Sequence, residues 1–248
     1  MTKFINRLDN NTIAYNQLTG KNSGIVFLSG FNSDMQGKKA LYLEKWAKEN
    51  NHSFLRFDYS GHGQSSGTIE TTCFSDWYQD AEYLINKLTQ DKQILIGSSM
   101  GAWIMLMLAK RIPQKISAII GLAPAPDFPK LLIWDKMSGS EKRKLVKNRK
   151  TSIKYEDGSK NNFSYKLIKD SFKNLTLLDS IYFNGPVYLY HGMADEAVPY
   201  DLSIKMIKSF TGTKDVKLLL ERDTGHRLSD IHQLKTITNI IEEIKIKI

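Results

Sequence analysis

The chain has 248 residues, a formal net charge of +9, a single cysteine and 41% hydrophobic residues. That length suits one large α/β domain or two small ones, with enough apolar side chain to fill a core without metal or disulfide support. The lone Cys73 excludes a disulfide framework and a cysteine-based zinc site, and no apolar run approaches the roughly 18 residues of a membrane span.

Met1 to Asp9 lacks the apolar centre of a signal peptide, which together with the single thiol predicts a cytoplasmic protein. Residues 3–19 alternate loosely between apolar and polar around a turn signal at Asp9-Asn10-Asn11, the pattern of an opening hairpin. Gly24 to Gly30 reads as a buried strand and Phe31 to Gly37 as the loop after it. Lys38 to Glu49 carries Leu41, Leu43, Trp46 and Ala47 at positions that suit an amphipathic helix. Phe54 to Asp58 is the next strand, running into the Gly/Ser-rich loop Tyr59 to Gly67. A long helix follows over Phe74 to Leu88, then a strand at Gln93 to Ile96, an apolar helix at Ala102 to Ala109, and a strand at Lys115 to Leu122 that ends in Ala123-Pro124-Ala125-Pro126.

Strands alternating with helices predict a mostly parallel central sheet flanked by helices. After Pro126 the rhythm breaks. Residues 127–184 offer an apolar patch at Leu131 to Trp134, a basic helical stretch from Ser140 to Lys150, a hairpin around Glu156-Asp157-Gly158-Ser159 and a second helical stretch from Tyr165 to Lys173. The βα rhythm then resumes with a strand at Pro186 to His191, a helix over 200–210, a strand at Val216 to Leu220 and a closing helix from Asp230 to Ile246. The expected division is a core of residues 1–126 and 185–248, with 127–184 inserted as a cap within the same domain. Between Lys136 and Lys173 there are twelve Lys/Arg and four Asp/Glu, so nearly all the excess charge lies in that segment. It reads as a solvated lysine-rich face or as a basic rim that attracts anionic substrates; nucleic acid is not an expected partner.

The chemistry centres on Gly97-Ser98-Ser99-Met100-Gly101. A buried strand, a sharp turn carrying a serine and a buried helix form a nucleophile elbow, and the tightness of the turn demands glycine two residues before and two after the serine. The serine then sits at a helix N-terminus, where free N–H groups favour developing negative charge. A serine hydroxyl needs a base to take its proton and an acid to orient that base. The two later strand ends supply Asp195 and His226. Glu196 remains an alternative to Asp195, whereas Asp223 is too close in sequence to His226 for the usual geometry. Of the other histidines, His62 lies where it could line a pocket and His191 where it would make structural hydrogen bonds. His52 and His232 fall away from strand ends. An oxyanion would be met by the Met100 N–H and, from the loop after the first core strand, by the Phe31 N–H, with Asn32 as a fallback. Nothing suggests a metal or an organic cofactor.

The segments Leu28 to Ala40, Arg56 to Gly61, Gly97 to Trp103 and His191 to Asp195 resemble one branch of the α/β hydrolases. That branch contains the mitochondrial palmitoyl-protein thioesterase, also called mycophenolic acid acyl-glucuronide esterase, and its bacterial relatives. The resemblance runs from about residue 23 to the end and is weakest in the inserted segment. It implies the α/β-hydrolase fold with a cap after the sixth strand. It also implies Ser99 as nucleophile with Asp195 and His226, and hydrolysis of acyl esters or thioesters, small molecules or acylated proteins, through an acyl-enzyme. Two departures are Ser29, where many hydrolases have histidine before the glycine, and the lack of a mitochondrial-type presequence. The acyl chain is expected against Trp103, Phe128, Leu131, Leu132 and Trp134, each of which also reads as plain core. A non-hydrolytic binding protein on the same fold, a C–C bond hydrolase using the same triad, and an anion-binding role for the basic segment are the competing expectations.

Overall fold

The computed structural model describes residues 1–7, 11–154, 158 and 160–247. Its centre is an eight-stranded sheet. In chain order the strands are β1 (Lys3–Asn6), β2 (Thr12–Leu18), β3 (Asn22–Leu28), β4 (His52–Phe57), β5 (Gln93–Ser98), β6 (Ile116–Leu122), β7 (Lys150–Lys154), β8 (Lys160–Ser164), β9 (Ile181–Tyr182), β10 (Val187–Gly192), β11 (Phe210–Thr211) and β12 (Val216–Glu221). The large sheet runs β1-β2-β4-β3-β5-β6-β10-β12. In this sheet β1 pairs with β2, and β2 with β4, antiparallel; from β4 through β3, β5, β6 and β10 to β12 every pairing is parallel. Parallel pairing follows from sequence, because each of these strands is separated from the next by a helical crossover.

The helices are α1 (Lys38–Glu49), α2 (Phe74–Leu88), α3 (Met100–Arg111), α4 (Gly139–Asn148), α5 (Tyr165–Ser171), α6 (Asp201–Ser209) and α7 (Ile231–Lys245). Successive strand residues point to opposite faces, and here both faces are covered. Ile25, Phe27, Ile94, Ile96, Ala118 and Ile120 pack toward Leu43 of α1 and Ile237 and Ile241 of α7. Val26, Leu28, Leu95, Ile119 and Leu189 pack toward α2, α3 and α6. A sheet buried on both faces explains why its central strands are apolar throughout instead of alternating with polar residues.

The predicted crossover helices lie where the periodicity put them: α1 and α2 match Lys38–Glu49 and Phe74–Leu88. The predicted apolar patch at Leu131 to Trp134 folds as a π-helical turn, Pro129–Trp134. The basic stretch forms α4, ending at Asn148 with Arg149 in a left-handed conformation (φ 62°), and Lys150 already belongs to β7. β7 and β8 pair antiparallel; the hairpin turn predicted at Glu156, Asp157 and Ser159, and the Asp9-Asn10 part of the first turn signal, lie outside the described residues. The short parallel pair β9–β11 was not foreseen. Asp127 ties the start of the 127–184 segment to Thr176 and Leu177. Its buried carboxylate accepts from the Thr176 N–H (2.8 Å), the Thr176 hydroxyl (2.9 Å) and the Leu177 N–H (3.0 Å).

Candidate active site

Ser99 stands between β5 and α3 at φ 55°, ψ −116°, a conformation that a side-chain-bearing residue adopts only when its surroundings impose it. The surroundings do so. A Cβ on Gly97 would lie 2.6 Å from Ala102 Cα, and one on Gly101 would lie 2.1 Å from the Leu28 carbonyl oxygen. Both positions therefore admit only hydrogen. The Ser99 N–H donates to the Leu122 carbonyl (2.9 Å), while the Ser99 carbonyl accepts from Ala102 (3.0 Å) and Ala125 (3.1 Å), locking the turn between β6 and α3.

His226 reaches this serine from the loop after β12. Its Nε2 lies 3.1 Å from Ser99 Oγ, and its Nδ1 lies 2.7 Å from Asp195 Oδ2, which comes from the loop after β10. An ionised carboxylate only accepts, so Nδ1 carries the proton and Nε2 is left to accept from the serine hydroxyl. The Asp195 side chain is fully buried. Its Oδ1 accepts from the N–H groups of Ala197 (3.0 Å) and Val198 (2.8 Å). Burial opposes ionisation, but hydrogen bonds from His191 and His226, the His226 charge and the Val198 N–H outweigh it and hold the pKa down to about 2. Glu196, the alternative carboxylate, is exposed.

The loop facing the elbow is equally constrained. Asp58 accepts from the Met35 N–H (2.6 Å) and the Gln64 N–H (2.9 Å), and Arg56 donates to the Met35 carbonyl (2.8 Å). The Asn32 N–H donates to His62 Nε2 (3.3 Å), and the Ser33 N–H to the Gly30 carbonyl (3.2 Å). The fallback donor Asn32 is therefore engaged, whereas the Phe31 N–H donates to no group among the described residues. Met100, first residue of α3, has an N–H with no acceptor inside its own helix. His62 is buried, and that burial pushes its pKa down to about 4. As a neutral acceptor in the loop after β4, it holds the Asn32 N–H of the loop after β3.

Phe31 sits in an aromatic cluster. Its ring centroid is 5.1 Å from Phe163, 5.8 Å from Phe128 and Trp77, and 6.2 Å from His62. Of the predicted acyl-chain residues, Phe128 belongs to this cluster. Trp103 is fully buried, stacked on Phe74 at 3.5 Å, with its indole N–H donating to the Asn174 carbonyl (3.1 Å). Leu131, Leu132 and Trp134 are partly buried against the same core, and Trp134 meets Phe172 edge to face. Phe163 and Trp77 were missed; Phe163 sits within a short polar stretch of β8 whose sequence carries no sign of what it packs on. His52 stacks on Trp46, and His232 bonds Glu221, both away from the triad. Cys73 is no rival nucleophile, because burial and the neighbouring Asp170 and Asp76 push its thiol up to about 12. Among the described residues no three His, Cys, Asp or Glu side chains are grouped to hold a metal ion, and no helix is long and apolar enough to cross a membrane. A polar depression of about 1150 Å³ opens at the amino ends of β3 and β5, lined by Asn22, Gln93 and Gly185 among others. Parallel sheets place their chemistry at the opposite, carboxyl ends.

An eight-stranded, mostly parallel sheet with a strained serine elbow and an Asp and a His at later strand ends defines an architecture, and the chain belongs to the α/β-hydrolase family. The profile of the alpha/beta hydrolase fold matches residues 25–141. Within the family the chain is similar to the mitochondrial palmitoyl-protein thioesterase ABHD10. It is 34% identical to the Homo sapiens protein over 244 residues, covering 97% of this chain and 79% of that one. The structure of alpha/beta hydrolase domain-containing protein 10 from mouse superposes with a TM-score of 0.93 at 30% identity, covering 100% of this chain and 99% of the other. A crystal structure from Agrobacterium vitis S4 gives a TM-score of 0.93 at 32% identity over 98% of both chains. Est1E from Butyrivibrio proteoclasticus, at 21% identity and a TM-score of 0.79, shares the fold.

Proposed function

We propose that the protein is a serine hydrolase that cleaves carboxylic ester or acyl-thioester bonds through an acyl-enzyme. The observation that carries this reading is the continuous chain Ser99 Oγ, His226 Nε2, His226 Nδ1, Asp195 Oδ2, with links of 3.1 and 2.7 Å. His226 takes the serine proton as Ser99 attacks the acyl carbonyl, and Asp195 stabilises the imidazolium that forms. The Phe31 and Met100 N–H groups receive the oxyanion. His226 then protonates the departing thiol or alcohol, and later activates the water that releases the acid.

Residues 127–184 serve as the cap over this site, and the acyl chain runs beside Phe128 toward Leu132 and Trp134, with Trp103 backing it. Because the named relatives are palmitoyl-protein thioesterases, an acylated protein is a substrate class beside small acyl esters and thioesters. The buried, lone Cys73 fits a reducing compartment such as the cytoplasm, although the curated relatives are named as mitochondrial. The test is a chain-length series of p-nitrophenyl esters and acyl-CoA thioesters, with wild type beside Ser99→Ala. Turnover is expected to fall about 10⁴-fold or more in the variant. No turnover by the folded wild type on any of them would favour the binding-protein alternative. Activity on a vinylogous diketone without ester cleavage would favour the C–C hydrolase.

A further inference from the structure

We infer that His191, with its tautomer fixed by Ser203, is the positioning residue for the triad carboxylate; this rests on the serine-hydrolase reading above. Sequence reasoning gave His191 structural hydrogen bonds only. In the structure its Nε2 lies 2.9 Å from Asp195 Oδ2, the same oxygen that His226 Nδ1 approaches at 2.7 Å, and 3.0 Å from the Val198 carbonyl. Its Nδ1 lies 2.7 Å from Ser203 Oγ, and neither His191 nor Ser203 is exposed to solvent.

The proton positions follow from counting donors. The Asp195 carboxylate and the Val198 carbonyl can only accept, so Nε2 carries the imidazole proton and is shared between them. Nδ1 is then bare and accepts from the Ser203 hydroxyl. The opposite tautomer would turn a nitrogen lone pair toward two acceptors, and in a buried site that repulsion is unscreened. Ser203 of α6 thereby selects the ring form that can grip Asp195.

The grip does something the other contacts on Asp195 do not. Both bonds to Oδ1 come from Ala197 and Val198, within the same turn as the aspartate, and would move with it. His191 belongs to β10, between β6 and β12 in the sheet. Its forked N–H holds both ends of the turn, Asp195 by its carboxylate and Val198 by its carbonyl, to a strand paired on both sides within the central sheet. An unbroken sequence of hydrogen bonds, Ser203 to His191 to Asp195 to His226 to Ser99, links helix α6 to the nucleophile. His226 and Ser99 are the partly exposed members of this set, so the orientation of His226 depends on how firmly Asp195 is held.

His191→Phe keeps a ring and removes the donor, whereas the side-chain amide of His191→Gln reaches the place of Nε2. The experiment measures kcat and KM on a p-nitrophenyl ester and an acyl-CoA thioester, per active site counted with a fluorophosphonate. His191→Phe is expected to lower kcat about 10–100-fold with KM within about threefold, and His191→Gln to return kcat to within about fivefold of wild type, as for other residues that orient a reacting ligand. Ser203→Ala, which leaves the imidazole but frees its tautomer, is expected to lower kcat about three- to tenfold with KM unmoved. The low-field proton resonance of the His226–Asp195 bond is expected in wild type and His191→Gln, and to be broadened or lost in His191→Phe. Wild-type kcat in His191→Phe, or a His191→Gln as slow as His191→Phe, would overturn the assignment. If His191→Phe does not fold, an unchanged kcat in Ser203→Ala overturns it instead. Ser99→Ala is run alongside: turnover surviving there defeats the serine-hydrolase reading itself, whereas a dead Ser99→Ala beside fully active His191 and Ser203 variants defeats only the positioning role.

Discussion

Ser99 is half-buried, and its backbone is held at φ 55°, ψ −116° between two glycines whose places leave no room for a Cβ. Around it, burial has been used to keep one histidine neutral. His62, with its pKa pushed down to about 4, stays unprotonated in the folded protein while the unfolded chain takes up a proton near its ordinary value of 6.5. The unfolded state therefore binds more protons between these values, and stability falls as pH drops through that window by about 3 kcal/mol from this one group. His52, also lowered by burial, acts in the same direction, while the raised carboxylates Asp58, Asp80 and Asp127 act in the opposite one. The clean measurement is thus the stability difference between His62→Gln and wild type by urea unfolding. The variant should gain on wild type by about 3 kcal/mol from about pH 7 to about pH 4, and a difference independent of pH would contradict the assignment. Asp195 is shifted down as well, in a separate and lower window. Its depressed pKa supplies stability that is fully present above about pH 4 and lost as pH falls toward about 2.

At the scale of elements, the elbow and the inserted segment carry different kinds of constraint. In Gly101→Ala the new methyl would meet the Leu28 backbone, which cannot rotate away as a side chain can. The strand β3 and helix α3 must separate, so the variant is expected to lose about 2–3 kcal/mol of stability and most of its esterase activity. Wild-type melting and turnover would show that the turn has slack. Asp127 fastens the 127–184 segment by one buried carboxylate receiving three hydrogen bonds. Asp127→Ala strands those donors and is expected to cost about 3 kcal/mol and to speed limited proteolysis between residues 128 and 176. Asp127→Asn, which keeps an acceptor, should cost less. The elbow was legible in the sequence because its chemistry is local: five residues, an apolar strand before and an apolar helix after. The inserted segment was legible only as a break in rhythm. Its π-helical turn and the two-residue pair β9–β11 have no periodicity of their own and are set by what they pack on.

For the molecule as a whole, the βα rhythm specified a parallel sheet but not its order. That β3 lies between β4 and β5 depends on crossovers that no single window records. The site was legible to the same degree. Ser99, Asp195 and His226 are separated by 96 and 31 residues in sequence, and strand ends alone predicted their meeting, which the geometry reproduces at hydrogen-bond distance. His191 escaped because its partners arrive from α6 and from the turn after its own strand. Charge is the other property of the whole chain: nearly all of the +9 lies between Lys136 and Lys173. If that segment rims the site, kcat/KM for an anionic acyl-CoA thioester should fall severalfold from about 20 to about 200 mM salt, while an uncharged ester stays within about twofold. Equal, flat responses would make the lysines a solvated face only.

Hydrolysis by this triad requires a covalent acyl-Ser99 intermediate, which intact-protein mass spectrometry after rapid acid quenching of turnover would detect. An added mass equal to one acyl group is expected on wild type, mapped by digestion to the peptide containing Ser99, absent from Ser99→Ala, and accumulating in His226→Ala only to a trace. An acyl group found on another residue, or full turnover with no acyl-enzyme and an active Ser99→Ala, would contradict it.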